Sequence, residues 1–117
     1  MDILVVDDDR DVLDVLKMFL ESSGHSVAVA AKAKPALEML EQKQPKLIFL
    51  DLRLPDQNGL DVLKTIKSKY PGIVVVMMTG FREADQVVEA FRQGAIDCIL
   101  KPFNFEYIKL KVLSRVS

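Results

Sequence analysis

Five short apolar runs, each followed by a stretch of helical periodicity, constrain this chain more than any other feature. They are Ile3-Leu4-Val5-Val6, Ser26-Val27-Ala28-Val29-Ala30, Leu47-Ile48-Phe49-Leu50, Ile73-Val74-Val75-Val76-Met77-Met78 and Asp97-Cys98-Ile99-Leu100. Uninterrupted apolar runs of this length read as strands covered on both faces. The second is mild and alternating, as an edge strand would be. Between the runs, Val12, Leu13, Leu16, Phe19 and Leu20 have helical spacing, as do Leu60, Leu63 and Ile66. Pro35 fits the first turn of a helix that turns Leu37 and Leu40 inward. A further helix spans roughly Glu83 to Arg92, and a last one sets Phe105, Ile108, Val112 and Val116 on one side. Asp9 and Asn104 suit the caps of the first and last helices. Ser22-Ser23-Gly24-His25, Gln44-Pro45, Tyr70-Pro71-Gly72 and Gly94 stop the first four helices. Strands alternating with helices imply right-handed crossovers and a parallel sheet with helices on both faces. The expected fold is one doubly wound α/β domain over residues 1–117.

The composition removes several function classes. No apolar run approaches the length needed to cross a bilayer. Met1-Asp2-Ile3 lacks the basic start of a signal peptide and enters a strand at once. The single Cys98 cannot form an internal disulfide, which suits a reducing compartment, so a cytoplasmic location is expected. Net charge is −1 with basic residues spread along the chain, so this segment is not expected to bind nucleic acid by itself.

The chemistry sits where strands end. Asp7 and Asp8, Asp51, Thr79 and Lys101 each follow or close one of the apolar runs. In a parallel sheet those ends share one edge, where open α/β sheets build their sites. An acidic triplet before a helix is often only a cap, and a lysine after a strand is often a solvated charge. Coincidence at four strand ends favours a site. Carboxylates brought together there repel by about 4 kcal/mol per pair at about 4 Å, with an effective dielectric near 20. A divalent cation would remove the repulsion. The donors are all oxygens, which implies a hard ion such as Mg²⁺. The turn after the first strand is acidic rather than Gly-rich, so it would repel a bare phosphate. A carboxylate beside Mg²⁺ can act as a nucleophile and accept a phosphoryl group. Thr79 and Lys101 would then donate to the new phosphoryl oxygens.

These residues resemble the receiver domains of two-component response regulators along the whole chain. The resemblance rests on Asp7-Asp8, on Asp51 with Pro55 and Gly59 behind it, on Thr79-Gly80, and on Lys101-Pro102-Phe103. It implies a flavodoxin-like sheet in the order 2-1-3-4-5. It implies Asp51 as phosphoacceptor, with Lys101 and Thr79 assisting. It implies Mg²⁺ held by Asp8, Asp51 and the backbone carbonyl of Arg53, with Asp7 acting partly through water. The donor would be a phosphohistidine on a histidine kinase or phosphotransfer protein, and a downstream effector domain or protein would read the result. Any catalysis would be limited to self-phosphorylation and self-dephosphorylation at Asp51. The Lys101-Pro102 bond is expected to be cis.

One departure affects the expected switch. Three residues before the lysine the family often has Tyr or Phe, and here stands Cys98. The signal is then expected to pass through the Thr79–Glu83 loop, where Phe81 is the only large ring. The charges on the fourth and fifth helices, Arg82, Glu83, Asp85, Glu89, Arg92, Glu106, Lys109, Lys111 and Arg115, read as a solvated face. A homodimer through the fourth helix, fifth strand and fifth helix is a further expectation. Two rivals stand beside this reading. A Mg²⁺-dependent phosphohydrolase with an Asp nucleophile usually needs a second acid two residues on, and Arg53 stands there. A degenerate receiver that only binds a partner would not need the intact acidic pair, Thr79 and Lys101.

Overall fold

In the computed structural model, which describes residues 1–80 and 84–116, each apolar run is a strand and each periodic stretch a helix. The order is β1 (Asp2–Val6), α1 (Arg10–Ser22), β2 (Ser26–Ala30), α2 (Ala33–Gln42), β3 (Leu47–Asp51), α3 (Gly59–Lys69), β4 (Val74–Thr79), α4 (Ala84–Arg92) and β5 (Asp97–Leu100). A final helical run follows as α5 (Phe105–Tyr107), a π-helical segment (Ile108–Leu113) and α6 (Ser114–Val116). The five strands form one parallel sheet in the order β2-β1-β3-β4-β5. β2 lies at the edge.

The sheet is covered on both sides because its strands are apolar on both sides. Ile3, Val5, Leu47, Phe49, Val76, Met78 and Ile99 pack with Leu13, Leu16 and Leu20 of α1 and with Ile108, Val112 and Val116 of the last helical run. The alternate residues Leu4, Val6, Ile48, Leu50, Val75 and Met77 pack with α2, α3 and α4. Side chains along a strand switch faces at every residue. Asp7, Asp51 and Lys101 therefore continue the rows Ile3-Val5, Leu47-Phe49 and Asp97-Ile99, on the α1 side of the sheet. Thr79 continues Val75-Met77, on the other side.

Local signals set most boundaries. Asp9 caps α1 by accepting from the Asp11 N–H, and Asn104 caps α5 by accepting from the Tyr107 N–H. Asn58 caps α3 through the Leu60 N–H. Gly24 and Gly94 follow α1 and α4 with positive φ of 92° and 102°, a conformation that favours glycine.

Three expectations need correction. The buried stripe of α3 is Gly59, Val62, Leu63 and Ile66, with Leu60 only half-buried. α2 buries Ala33, Ala36 and Leu40, and Leu37 lies at its margin. The last run is not a plain α-helix. Its π-helical segment buries Ile108, Val112 and Leu113 in the core.

Gly59 decides how closely α3 approaches the sheet. A Cβ there would collide with the backbone of Asp51 and Leu52. Its N–H donates to the Leu52 carbonyl at 2.8 Å, and an isolated bridge pairs Arg53 with Asn58. The collision is with main chain, which cannot rotate away. Gly59→Ala should therefore lower unfolding free energy by about 3 kcal/mol, the upper range for overpacking, as read by urea denaturation.

Candidate functional site

Asp7 and Asp8 follow β1, Asp51 ends β3, Thr79 ends β4, and Lys101 follows β5. One carboxylate oxygen from each of Asp7, Asp8 and Asp51 lies within 4.8 Å of the others. Asp7 is fully buried, Asp51 is 6% exposed and Asp8 is exposed. The cluster thus has a dry back wall and a wet entrance.

Lys101 is the counter-charge. Its Nζ lies 2.6 Å from Asp7 Oδ2 and donates to Asp51 Oδ1 at 3.3 Å. The contact with the buried Asp7 Oδ2 is an ion pair, and no further donor to that oxygen is found among the described residues. Asp7 Oδ1 accepts from the Asp9 N–H at 2.9 Å. The Lys101-Pro102 peptide bond is cis.

The charges shift one another. Burial, and then the neighbouring Asp7 carboxylate, push the Asp51 pKa up to about 6, against the opposing pull of Lys101 and the Arg53 main chain. Burial alone would lower the Lys101 pKa, but its contacts with Asp7 and Asp51 outweigh that and raise it. At neutral pH Lys101 is charged and Asp51 is an ionised carboxylate of raised basicity.

Thr79 is fully buried and donates through its hydroxyl to the Gly80 carbonyl at 3.1 Å. Arg53 has an exposed side chain. Cys98 is half-buried and packs toward the α2–α4 side of the core. Burial, with the adjacent Asp97, pushes its thiol pKa up to about 11, so it is not a ready thiolate at neutral pH. Phe81 lies outside the described residues, as do Arg82 and Glu83.

Two features were not visible in the pattern of residues. Asp56, in the loop after Asp51, accepts from the backbone N–H of Ala33 and of Lys34, both at 2.9 Å. These two donors, Lys34 first, hold its carboxyl below the usual range. The only sequence hint is Lys32, which stands at the cap of α2 and makes no side-chain capping bond. The second feature is Asp97, whose Oδ2 accepts from the Tyr107 hydroxyl at 2.6 Å and pairs with Arg115 Nη1 at 3.7 Å. Arg115 therefore does not belong wholly to a solvated face.

A family model described as the response regulator receiver domain matches residues 3–113. The chain belongs to that family. The transcriptional regulatory protein ZraR of Klebsiella oxytoca is 38% identical over 110 residues, covering 94% of this chain and 25% of that protein. The alginate biosynthesis transcriptional regulatory protein AlgB of Pseudomonas aeruginosa is 39% identical over 108 residues, covering 92% and 24%. This receiver thus spans about a quarter of the length of those regulators. The crystal structure of the receiver domain of NtrX from Brucella abortus superposes with a TM-score of 0.93 at 38% identity, covering 98% of this chain and 97% of that one. A CheY-like receiver domain protein from Methanospirillum hungatei gives 0.92 at 33% identity, covering 98% and 92%. Both the parallel sheet and its strand order are those of the family. Among the described residues no helix is long and apolar enough to cross a membrane.

The raised Asp51 pKa carries a stability cost with a defined sign. The folded state holds this proton between about pH 3.8 and 6, where the unfolded state releases it, so stability falls as pH rises through that window. Solvent entering beside Asp8 screens part of the effect, leaving roughly 2 kcal/mol. Asp51→Asn, measured without divalent ions, should therefore be the more stable protein at pH 7 by about that amount. The advantage should vanish near pH 4, as followed by thermal unfolding across the pH range.

Proposed function

We propose that this domain is a phosphorylation-controlled switch with Asp51 as its acceptor. The observation that carries the reading is the meeting of three carboxylates from two strand ends with Lys101 set against two of them. Such a group costs free energy at rest, and a hard cation would relieve it. The donors suit Mg²⁺, since all are oxygens and Asp7 Oδ2 has no donor beyond Lys101 among the described residues. Asp8, Asp51 and the backbone carbonyl of Arg53 would hold the ion, with Asp7 acting partly through water. When bound, Mg²⁺ would offset the carboxylate charge and polarise the incoming phosphoryl group.

An Asp51 carboxylate oxygen attacks phosphorus as the P–N bond of a partner's phosphohistidine breaks, and the bonding pair leaves on the imidazole nitrogen. Asp51 is suited to this step because it is ionised at neutral pH yet more basic than a free carboxylate. Lys101, held protonated by its two acids, follows the new charge onto a phosphoryl oxygen. The Thr79 hydroxyl, which donates to the Gly80 carbonyl at rest, donates to a second phosphoryl oxygen after Thr79 turns from the other side of the sheet toward Asp51. The phosphoryl group carries about −1.5 to −2 charges but replaces the charge of the Asp51 carboxylate, so the confined space gains roughly one negative charge. With a thiol at position 98, the shift travels through the chain after Thr79, the segment that includes Phe81.

Partners follow from the surface. A hollow of about 290 Å³ beside Lys101 is lined by Val12, Val15, Phe103 and Phe105, an apolar seat for a histidine kinase or phosphotransfer protein. Val88 and Phe91 of α4, Leu100 of β5, and Tyr107 and Leu110 of the last helical run are exposed. They support a homodimer or effector contact across that face. The output belongs to an effector domain or protein outside residues 1–117.

Incubation with acetyl phosphate and Mg²⁺ should give one acid-labile phosphoryl group on this protein and none on Asp51→Asn, by intact-mass measurement. Undiminished labelling of the variant would remove Asp51 from its role. Mg²⁺ should also raise the melting temperature of the parent, and do so far less for Asp8→Ala.

A further inference from the structure

The β3–α3 loop is fixed at its ends by the Arg53–Asn58 bridge and by Gly59. Its middle is fixed by something else. Asp56 spans the first two residues of α2 with both carboxylate oxygens, one on the Ala33 N–H and one on the Lys34 N–H. A helix leaves its first amide donors unpaired unless a cap supplies an acceptor. α2 has Lys32 at its own cap position, with extended backbone and no side-chain capping bond. The acceptor comes instead from a residue more than twenty positions away, in the loop that begins at the acceptor strand's end. α2 is itself anchored, through Ala33, Ala36 and Leu40, in the core beneath the sheet. The carboxylate therefore joins the loop to a rigid element, and the positive end of the helix favours the negative charge.

We infer that Asp56 is a positioning residue for phosphoryl acceptance, holding the Arg53 carbonyl in place by tying its loop to the N-terminus of α2. This rests on the reading of Arg53 as a main-chain ligand to Mg²⁺. The residue touches neither the ion nor the phosphoryl group. Its effect is on how much of the cation's binding is spent ordering the loop. Loss of the tether raises the Mg²⁺ concentration required and leaves the saturated reaction nearly unchanged.

The test uses the whole chain with three substitutions: Asp56→Ala, Asp56→Asn, and Asp56→Ala combined with Lys32→Ser. The last gives α2 a local cap without restoring the tether. Labelling by acetyl phosphate is followed as Mg²⁺ is varied, beside thermal unfolding and hydrogen exchange at the Ala33 and Lys34 amides. For Asp56→Ala, half-saturating Mg²⁺ should rise about fivefold or more while the rate at saturation changes less than twofold. Asp56→Asn, with one acceptor oxygen, should fall between. The double variant should recover melting temperature and protection of the Lys34 amide, the one a serine at position 32 can cap, but keep the raised Mg²⁺ requirement. Recovery of the Mg²⁺ requirement as well, or an unchanged requirement in Asp56→Ala, would reduce Asp56 to a helix cap and overturn the inference alone. A parent protein that needs no Mg²⁺ for labelling would overturn the metal reading, and the inference with it.

Discussion

The contact of the Lys101 ammonium with Asp7 and Asp51 is the interaction on which the rest of this structure depends. It crosses the sheet from the end of β5 to the ends of β1 and β3. A buried carboxylate such as Asp7 is tolerated only when paired. The pairing in turn needs all three strand ends to arrive at one place. The fully buried Phe49, Met77 and Leu16 and the tight seat of Gly59 on Asp51 and Leu52 hold those ends together. Core and site are therefore one problem. The apolar interior positions the charges, and the charges are the part of the structure left incompletely satisfied.

Much of this was legible in the residues themselves. Strands and helices could be read because local rules and tertiary packing agree: Asp9 and Asn104 cap where their side chains allow, and the apolar runs suit both faces of a parallel sheet. The acidic cluster was legible for a topological reason. Parallel strands put their last residues on one edge, so Asp7, Asp51 and Lys101 could be grouped without knowing any distance. The strand order itself was expected only through the family resemblance.

What escaped the sequence was long-range and directional. Nothing near Asp56 shows that its carboxylate is used by α2, because the donors belong to a distant backbone. Arg115 looked like one more surface cation until Asp97 placed it beside Tyr107. Val62 displaces Leu60 from the stripe of α3 because the close approach at Gly59 sets which side of the helix faces the sheet. The π-helical segment was invisible in the apolar spacing, since a buried neighbouring pair such as Val112 and Leu113 also occurs in a regular helix, as Val62 and Leu63 do in α3.

The alternation of side chains along the strands has a consequence for how such a domain can vary. Asp7, Asp51 and Lys101 meet because each stands an even number of residues beyond apolar partners on the same side of the sheet. Adding or deleting one residue within β1, β3 or β5 would point its charged end through to the opposite layer. Two would restore the direction but displace the end along the strand. The strands behind this edge are therefore held to a fixed count.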